Sequence, residues 1–215
     1  MGSARALGCR AMSDDILDIG VCIDPGHGGT DHGTTRGGLR EADITLDVAR
    51  WMADALAMRV RLVVPTRLRD VAVTLAERSA IANKHGVGAF VSLHVNSLPW
   101  HTLPAKLARV RGGLCFYAPS SVRGRDLAVG LAKAVKSSGI PLNPGGVAGV
   151  GPGNFQVLRA TEAPAVLVEL GFATHVQDRK LLVSPIWQRA VGEALADAVV
   201  EWAKPHARLI SGGGI

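Results

Sequence analysis

The stretch Ile19-Gly20-Val21-Cys22-Ile23-Asp24-Pro25-Gly26-His27-Gly28-Gly29 decides how the chain is read. An apolar run of strand length ends on Asp24-Pro25 and gives way at once to glycines, the pattern of a buried strand emptying into a tight turn. Two later runs have the same shape. Ala89–His94 and Ala165–Glu169 are apolar until they close on an ionisable residue. Further strand candidates are Val60–Pro65, Gly113–Tyr117 and Phe155–Leu158.

Helical patterns lie between these runs. Ile44, Val48, Trp51, Met52, Ala55 and Leu56 form an amphipathic stripe. Thr74 and Glu77 have capping-box spacing ahead of a second helix that stops near Gly86. Leu127, Leu131, Ala134 and Val135 mark a third, and Ser184-Pro185 opens a last helix that runs to Pro205. Strands alternating with helices predict a single α/β domain: a twisted, mostly parallel sheet of about six strands flanked by helices. The domain is expected over 19–204, with a flexible leader at 1–18 and a short flexible tail at 205–215.

The totals narrow the partners. The 215 residues suffice for one core, and 24 Lys and Arg against 18 acids give a formal charge of +6. That balance favours a polyanionic partner: nucleic acid, an anionic membrane surface or an acidic cell-wall polymer. With four Trp, one Tyr and four Phe, and no basic-aromatic cluster, nucleic acid is not expected as a partner. No run is long enough to span a membrane, and the first residues lack a signal's apolar core. Synthesis in the cytoplasm, as a monomer, is therefore expected. Cys22 and Cys115 fall in apolar runs and read as small buried hydrophobes; Cys9 has no partner motif.

Open α/β sheets bind ligands beyond the carboxyl ends of their strands, so His27, His94 and Glu169 are candidate site residues. Phosphate binding is not supported at the glycine turn, because neither GxxxxGK[ST] nor GxGxxG is present. Glu169, after five apolar residues, must be paired, metal-facing or held protonated. Glu41 opens the Ile44 helix, where an acid also serves the helix dipole. Two histidines and a carboxylate with an open fourth position form a catalytic zinc set, and a further glutamate can move protons. Known zinc-hydrolase signatures such as HExxH are absent, so chemistry alone does not select these four.

Six stretches do: IDPGHGG (23–29), LREADITLDVA (39–49), TLAERSAIAN (74–83), FVSLHVN (90–96), NFQVLR (154–159) and PAVLVELGF (164–172). In this order they resemble the zinc-dependent N-acetylmuramoyl-L-alanine amidases of the Amidase_3 family, over roughly Ile19 to Ala203. The resemblance implies a twisted sheet of about six strands, one Zn2+ held by His27, Glu41 and His94, and Glu169 as catalytic base. It implies peptidoglycan as partner and the bond between N-acetylmuramic acid and L-alanine as the one cut. Asn96, Arg159 and His32 are candidates for touching substrate. His32 stands where the family is expected to have proline, and like His175 it reads as a surface residue. The segment SLPWHTLPAKLARVR (97–111) lines the groove, with Trp100 as a platform and Lys106, Arg109 and Arg111 facing acidic glycan, or else it is a solvated loop. A phage or prophage endolysin fits the basic charge and the lack of a signal. The alternatives are a host wall-remodelling amidase without its signal and a non-catalytic wall-binding module.

Overall fold

A computed structural model describes residues 15–211. In chain order the elements are β1 (Asp15–Pro25), a 3-10 turn (Arg36–Gly38), α1 (Glu41–Leu56), β2 (Val60–Pro65), α2 (Leu75–Lys84), β3 (Ala89–Asn96), α3 (Pro104–Leu107) and β4 (Leu114–Tyr117). They continue with α4 (Val122–Ser137), β5 (Val150–Pro152), α5 (Gln156–Ala160), β6 (Ala165–Phe172), α6 (Val176–Leu182), α7 (Pro185–Ala203) and β7 (Leu209–Ser211). One sheet runs β2-β1-β3-β6-β4-β5, and β7 adds to β1. The β1–β2, β1–β3, β3–β6 and β4–β5 pairs are parallel; β4–β6 and β1–β7 are antiparallel.

The central strands are apolar on both sides because both faces are covered. Ile23, Val91, Leu93 and Val168 join the core beneath α1, α4 and α7. Their alternating neighbours Cys22, Phe90 and Leu167 face Ala82 of α2 and Val157 and Leu158 of α5. Period-2 alternation thus fills two cores from one set of strands. It also decides where the strand ends point: Asp24, Ser92 and His94 continue the α2-facing rows of Cys22 and Phe90, and Glu169 continues that of Leu167. The capping box is present, with the Thr74 hydroxyl accepting from the Glu77 N–H and Glu77 accepting from the Thr74 N–H. Cys22 and Cys115 are buried, and neither forms a disulfide among the described residues.

The expected mostly parallel sheet flanked by helices is present, with seven strands among the described residues, and two other expectations need correction. Phe155–Leu158 is not a strand: α5 covers Gln156–Ala160, and the strand is Val150–Pro152. Val157 and Leu158 are consecutive and both buried in the same core, which one helical turn permits and a pleated strand does not. Second, part of the expected leader and tail belongs to the domain. Leu17, 4% exposed, pairs with Val60 on one side and Leu209 on the other, so 15–18 and 209–211 close the sheet's margin. The rest of the leader, with Cys9, lies outside the described residues.

Candidate metal centre

The site is built at the carboxyl ends of β1, β3 and β6, with α1 contributing its first residue. His94 and Glu169 are register partners on neighbouring parallel strands, which sets their side chains next to each other. Glu41 is buried and fixed by backbone: Oε1 accepts from the Val95 N–H at 2.8 Å and Oε2 from the Thr34 N–H at 2.8 Å. Around Oε1 stand His94 Nδ1 at 3.0 Å and His27 Nε2 at 3.1 Å. One donor atom from each of His27, Glu41 and His94 lies within 4.8 Å of the others. Two imidazoles and a carboxylate converging so tightly are the donor chemistry of catalytic zinc, and the residues fit that ion.

His27 reaches this place through a left-handed backbone, φ 61°, uncommon for a side chain with a Cβ. Two buried arginines hold it there. Arg78 donates to the carbonyls of Pro25 at 2.7 Å and His27 at 2.9 Å, and Arg67 to those of Pro25 and Gly26, each at 2.9 Å. Arg78 is itself paired with buried Asp24 at 2.7 Å, which also accepts from Thr66 and Ser92. Every carbonyl of the turn through His27 therefore has a charged donor beneath it, which offsets the strain. Glycine is required at two points. A Cβ on Gly26 would stand 2.4 Å from His94 Cε1, and one on Gly33 would stand 2.5 Å from Glu41 Oε2.

Charge is arranged accordingly. Burial alone would raise the Glu41 carboxyl, but hydrogen bonds and charge from His27 and His94 bring it down to about 2. Burial alone would lower His27, but Glu41 and then Asp31 raise it to about 8. Glu169 has no such partner. Burial pushes it up to about 7, with His94 opposing and Glu41 adding, and its Oε2 is buried without a hydrogen bond among the described residues. A carboxyl that can hold or release a proton near neutral pH, beside a donor cluster, is equipped for general acid–base work.

The structure brings together His27, Glu41, His94 and Glu169. Asn96 ends the same strand as His94, and its Oδ1 orders its own turn by accepting from the Ser97 N–H at 2.8 Å. His32 is exposed, with Nδ1 accepting from Arg40 Nε at 2.9 Å. Arg159 is not brought in. It sits on α5, ahead of the amino end of β6, and donates to Asn154 at 3.0 Å, so a motif adjacent in sequence lies at the opposite end of the strand from Glu169. His175 is not a surface residue but is 7% exposed beside Asp178. Asp31, whose Oδ2 receives a hydrogen bond from His27 Nδ1 at 2.8 Å, was not anticipated; its signal was an acid four residues from His27 in the same turn.

Comparison with known proteins gives the family of the chain. The Amidase_3 family, described as N-acetylmuramoyl-L-alanine amidase, matches residues 21–201. The chain belongs to that family. It is 31% identical over 191 residues to the uncharacterized protein YqiI of Bacillus subtilis (strain 168), covering 89% of this chain and 88% of that one. It is 30% identical to the endolysin of Bacillus phage SPP1, covering 84% of this chain but only 65% of the phage protein. Among solved structures, the N-acetylmuramoyl-L-alanine amidase AmiC2 of Nostoc punctiforme superposes with a TM-score of 0.77 at 32% identity, covering 86% of this chain and 97% of that one. This Amidase_3 chain thus shares both the sheet and its family's sequence with amidases of that type.

Proposed function

We propose that this chain hydrolyses the amide bond between N-acetylmuramic acid and L-alanine in peptidoglycan, with one zinc ion held by His27, Glu41 and His94. The observation that carries the reading is the convergence of those three donor atoms beside a buried, unpartnered carboxylate oxygen of Glu169. Zinc there would supply a Lewis acid for the amide carbonyl and acidify water nearby. Glu169 takes the proton of the attacking water and delivers it to the alanine nitrogen as the C–N bond breaks. The products are a lactyl carboxylate on the sugar and a peptide with a free amino terminus. Asp31 holds His27 so that Nε2 faces the centre, and Glu41 is oriented by two backbone amides.

Mass spectrometry of digested peptidoglycan tests the bond. Peptides beginning at L-alanine, with intact glycan strands, are expected; cut strands or shortened stems would overturn the reading. Glu169→Ala is expected to keep zinc and lose hydrolysis, whereas His94→Ala loses both. We further infer a lytic, endolysin-type role, with the +6 charge drawing the protein to anionic envelope polymers. The likeness to a phage endolysin supports it. An unprocessed N-terminus on the native protein from its source cells is expected; a cleaved one would favour a host wall-remodelling amidase.

A further inference from the structure

The metal cleft has a rim that the hydrolytic chemistry does not use. Beyond Asn96 the chain makes the 97–112 excursion before returning to β4. It is tethered at both ends: the Leu98 N–H donates to Thr174 Oγ1 at 3.4 Å, and Gly112 N–H and Arg111 donate to buried Asp178 at 2.7 and 3.0 Å. Arg111 is therefore committed to the fold rather than free to meet glycan. Within this tethered segment Trp100 is 77% exposed and Leu103 74%. The other indoles are placed differently: Trp187 and Trp202 are buried and Trp51 is half-buried.

One face of Trp100 is taken. The Arg36 guanidinium carbon lies 4.1 Å from the centroid of the ring. Arg36 belongs to the 3-10 turn just before Glu41, and its N–H donates to Thr34, whose own N–H holds the Glu41 carboxylate. The two flanks of the metal centre thus meet at this stacked pair, which fixes the ring and leaves its second face to solvent. An exposed indole held in one orientation by a tethered segment and a stacked guanidinium offers a rigid flat surface for binding.

We propose that the free face of Trp100, backed by Arg36, is a saccharide subsite that stacks on a hexosamine ring of the glycan strand. This rests on the amidase reading for its location. A substrate whose lactyl amide lies at His27, Glu41 and His94 carries its sugar within one ring of the cleft's edge. A pyranose presents a flat row of C–H groups on one face and polar groups around its rim. The first suits the electron-rich indole face, and the second suits donors at the ring's edge. A stem-peptide carboxylate fits less well, because the Arg36 charge is spent on the covered side of the ring.

The test is a titration of full-length, zinc-loaded, 15N-tryptophan-labelled protein with N-acetylglucosamine tetramer, which lacks the lactyl–alanine amide that the proposed reaction cuts. One indole N–H signal, absent in Trp100→Ala, is expected to shift to saturation while the other three stay in place. On a soluble glycan–peptide substrate, Trp100→Ala is expected to raise KM about tenfold with kcat within about twofold, the size of one lost stacking contact. Arg36→Met should give a smaller rise, about threefold, by freeing the ring. A Trp100 indole that ignores the tetramer, or responds only to a free stem peptide, would overturn the subsite while leaving the amidase reading intact. A tetramer response in a protein that releases no L-alanine peptides would do the reverse.

Discussion

Removing the Asp31 carboxylate isolates what the histidine's outer hydrogen bond contributes to metal binding. Asp31 Oδ2 receives the His27 Nδ1–H at 2.8 Å, which fixes the tautomer with Nε2 toward Glu41. Loss of such a partner typically lowers metal affinity by about 10- to 100-fold. The Asp31 side chain is 65% exposed, so water screens its charge and the lower end applies, about tenfold or about 1.4 kcal/mol. The fold should not notice, because the Gly33 N–H that Asp31 Oδ1 accepts at 3.1 Å can turn to solvent. Proton competition complicates the assay. Asp31 also helps hold the proton that His27 keeps up to about pH 8, so the Ala variant loses a competitor along with an ally. A chelator-competition titration of Asp31→Ala should therefore show its full, about tenfold, loss near pH 9 and a smaller one near pH 7. Asp31→Asn, which keeps an acceptor, should lose about half as much free energy. Equal zinc affinity for Asp31→Ala and the unaltered protein near pH 9 would refute the reasoning.

Three other outcomes are expected. Gly26→Ala forces a Cβ to 2.4 Å from His94 Cε1, so the ring must leave; zinc content by atomic emission should fall from about one per chain to near none, with a cooperative melt retained. Arg78→Met leaves buried Asp24 without its cation, and urea unfolding should show a loss of about 3–5 kcal/mol; under about 1 kcal/mol would contradict the buried pair. In chelator-stripped protein, Glu169 held at about 7 instead of its ordinary 4.5 costs stability as pH rises from 4.5 to 7. His27, raised from 6.5 to about 8, contributes stability below 6.5 that is gone above 8, while the Glu41 contribution is lost only as pH falls from 4.5 toward 2. Calorimetric melting temperature should thus be highest near pH 5 and decline toward pH 8, and Glu169→Gln should flatten the part of that decline below pH 7.

The sequence shows the sheet's carboxyl edge more clearly than its margins. His94 and Glu169 are legible because each ends five consecutive apolar or small residues of strand length, where an ionisable group stands out. Phe155–Leu158 was not, since a few apolar residues fit one helical turn as well as a strand. The same limit hid β7, whose pairing with Asp15–Leu17 spans nearly the whole chain and leaves no local pattern. Within the site, Glu41 was visible through family resemblance alone: as an acid at a helix start it looks ordinary. Arg67 and Arg78 were hidden because arginine is read as surface, whereas here carbonyls of the Pro25–His27 turn give both a reason to be inside.

That last point ties stability to chemistry. A left-handed His27 followed by left-handed Gly28 and Gly29 would wander if its carbonyls were left to water. The chain avoids this by sinking two guanidinium groups under the turn and setting Asp24 against one of them. The arrangement is worth little as bulk stabilisation, since a buried ion pair about repays its own desolvation. Its return is positional: the turn has one set of partners, and His27 Nε2 consequently has one place to be. Glu41 is fixed independently, by amides from the loop before α1 and from β3, so it binds helix to sheet at the point where the ligands meet. His94 is fixed by β3 itself and by the space that Gly26 leaves. Three donor side chains held by three separate devices converge on one point. Buried Asp24, Arg67 and Arg78 thus set the position of His27 without themselves belonging to the donor cluster.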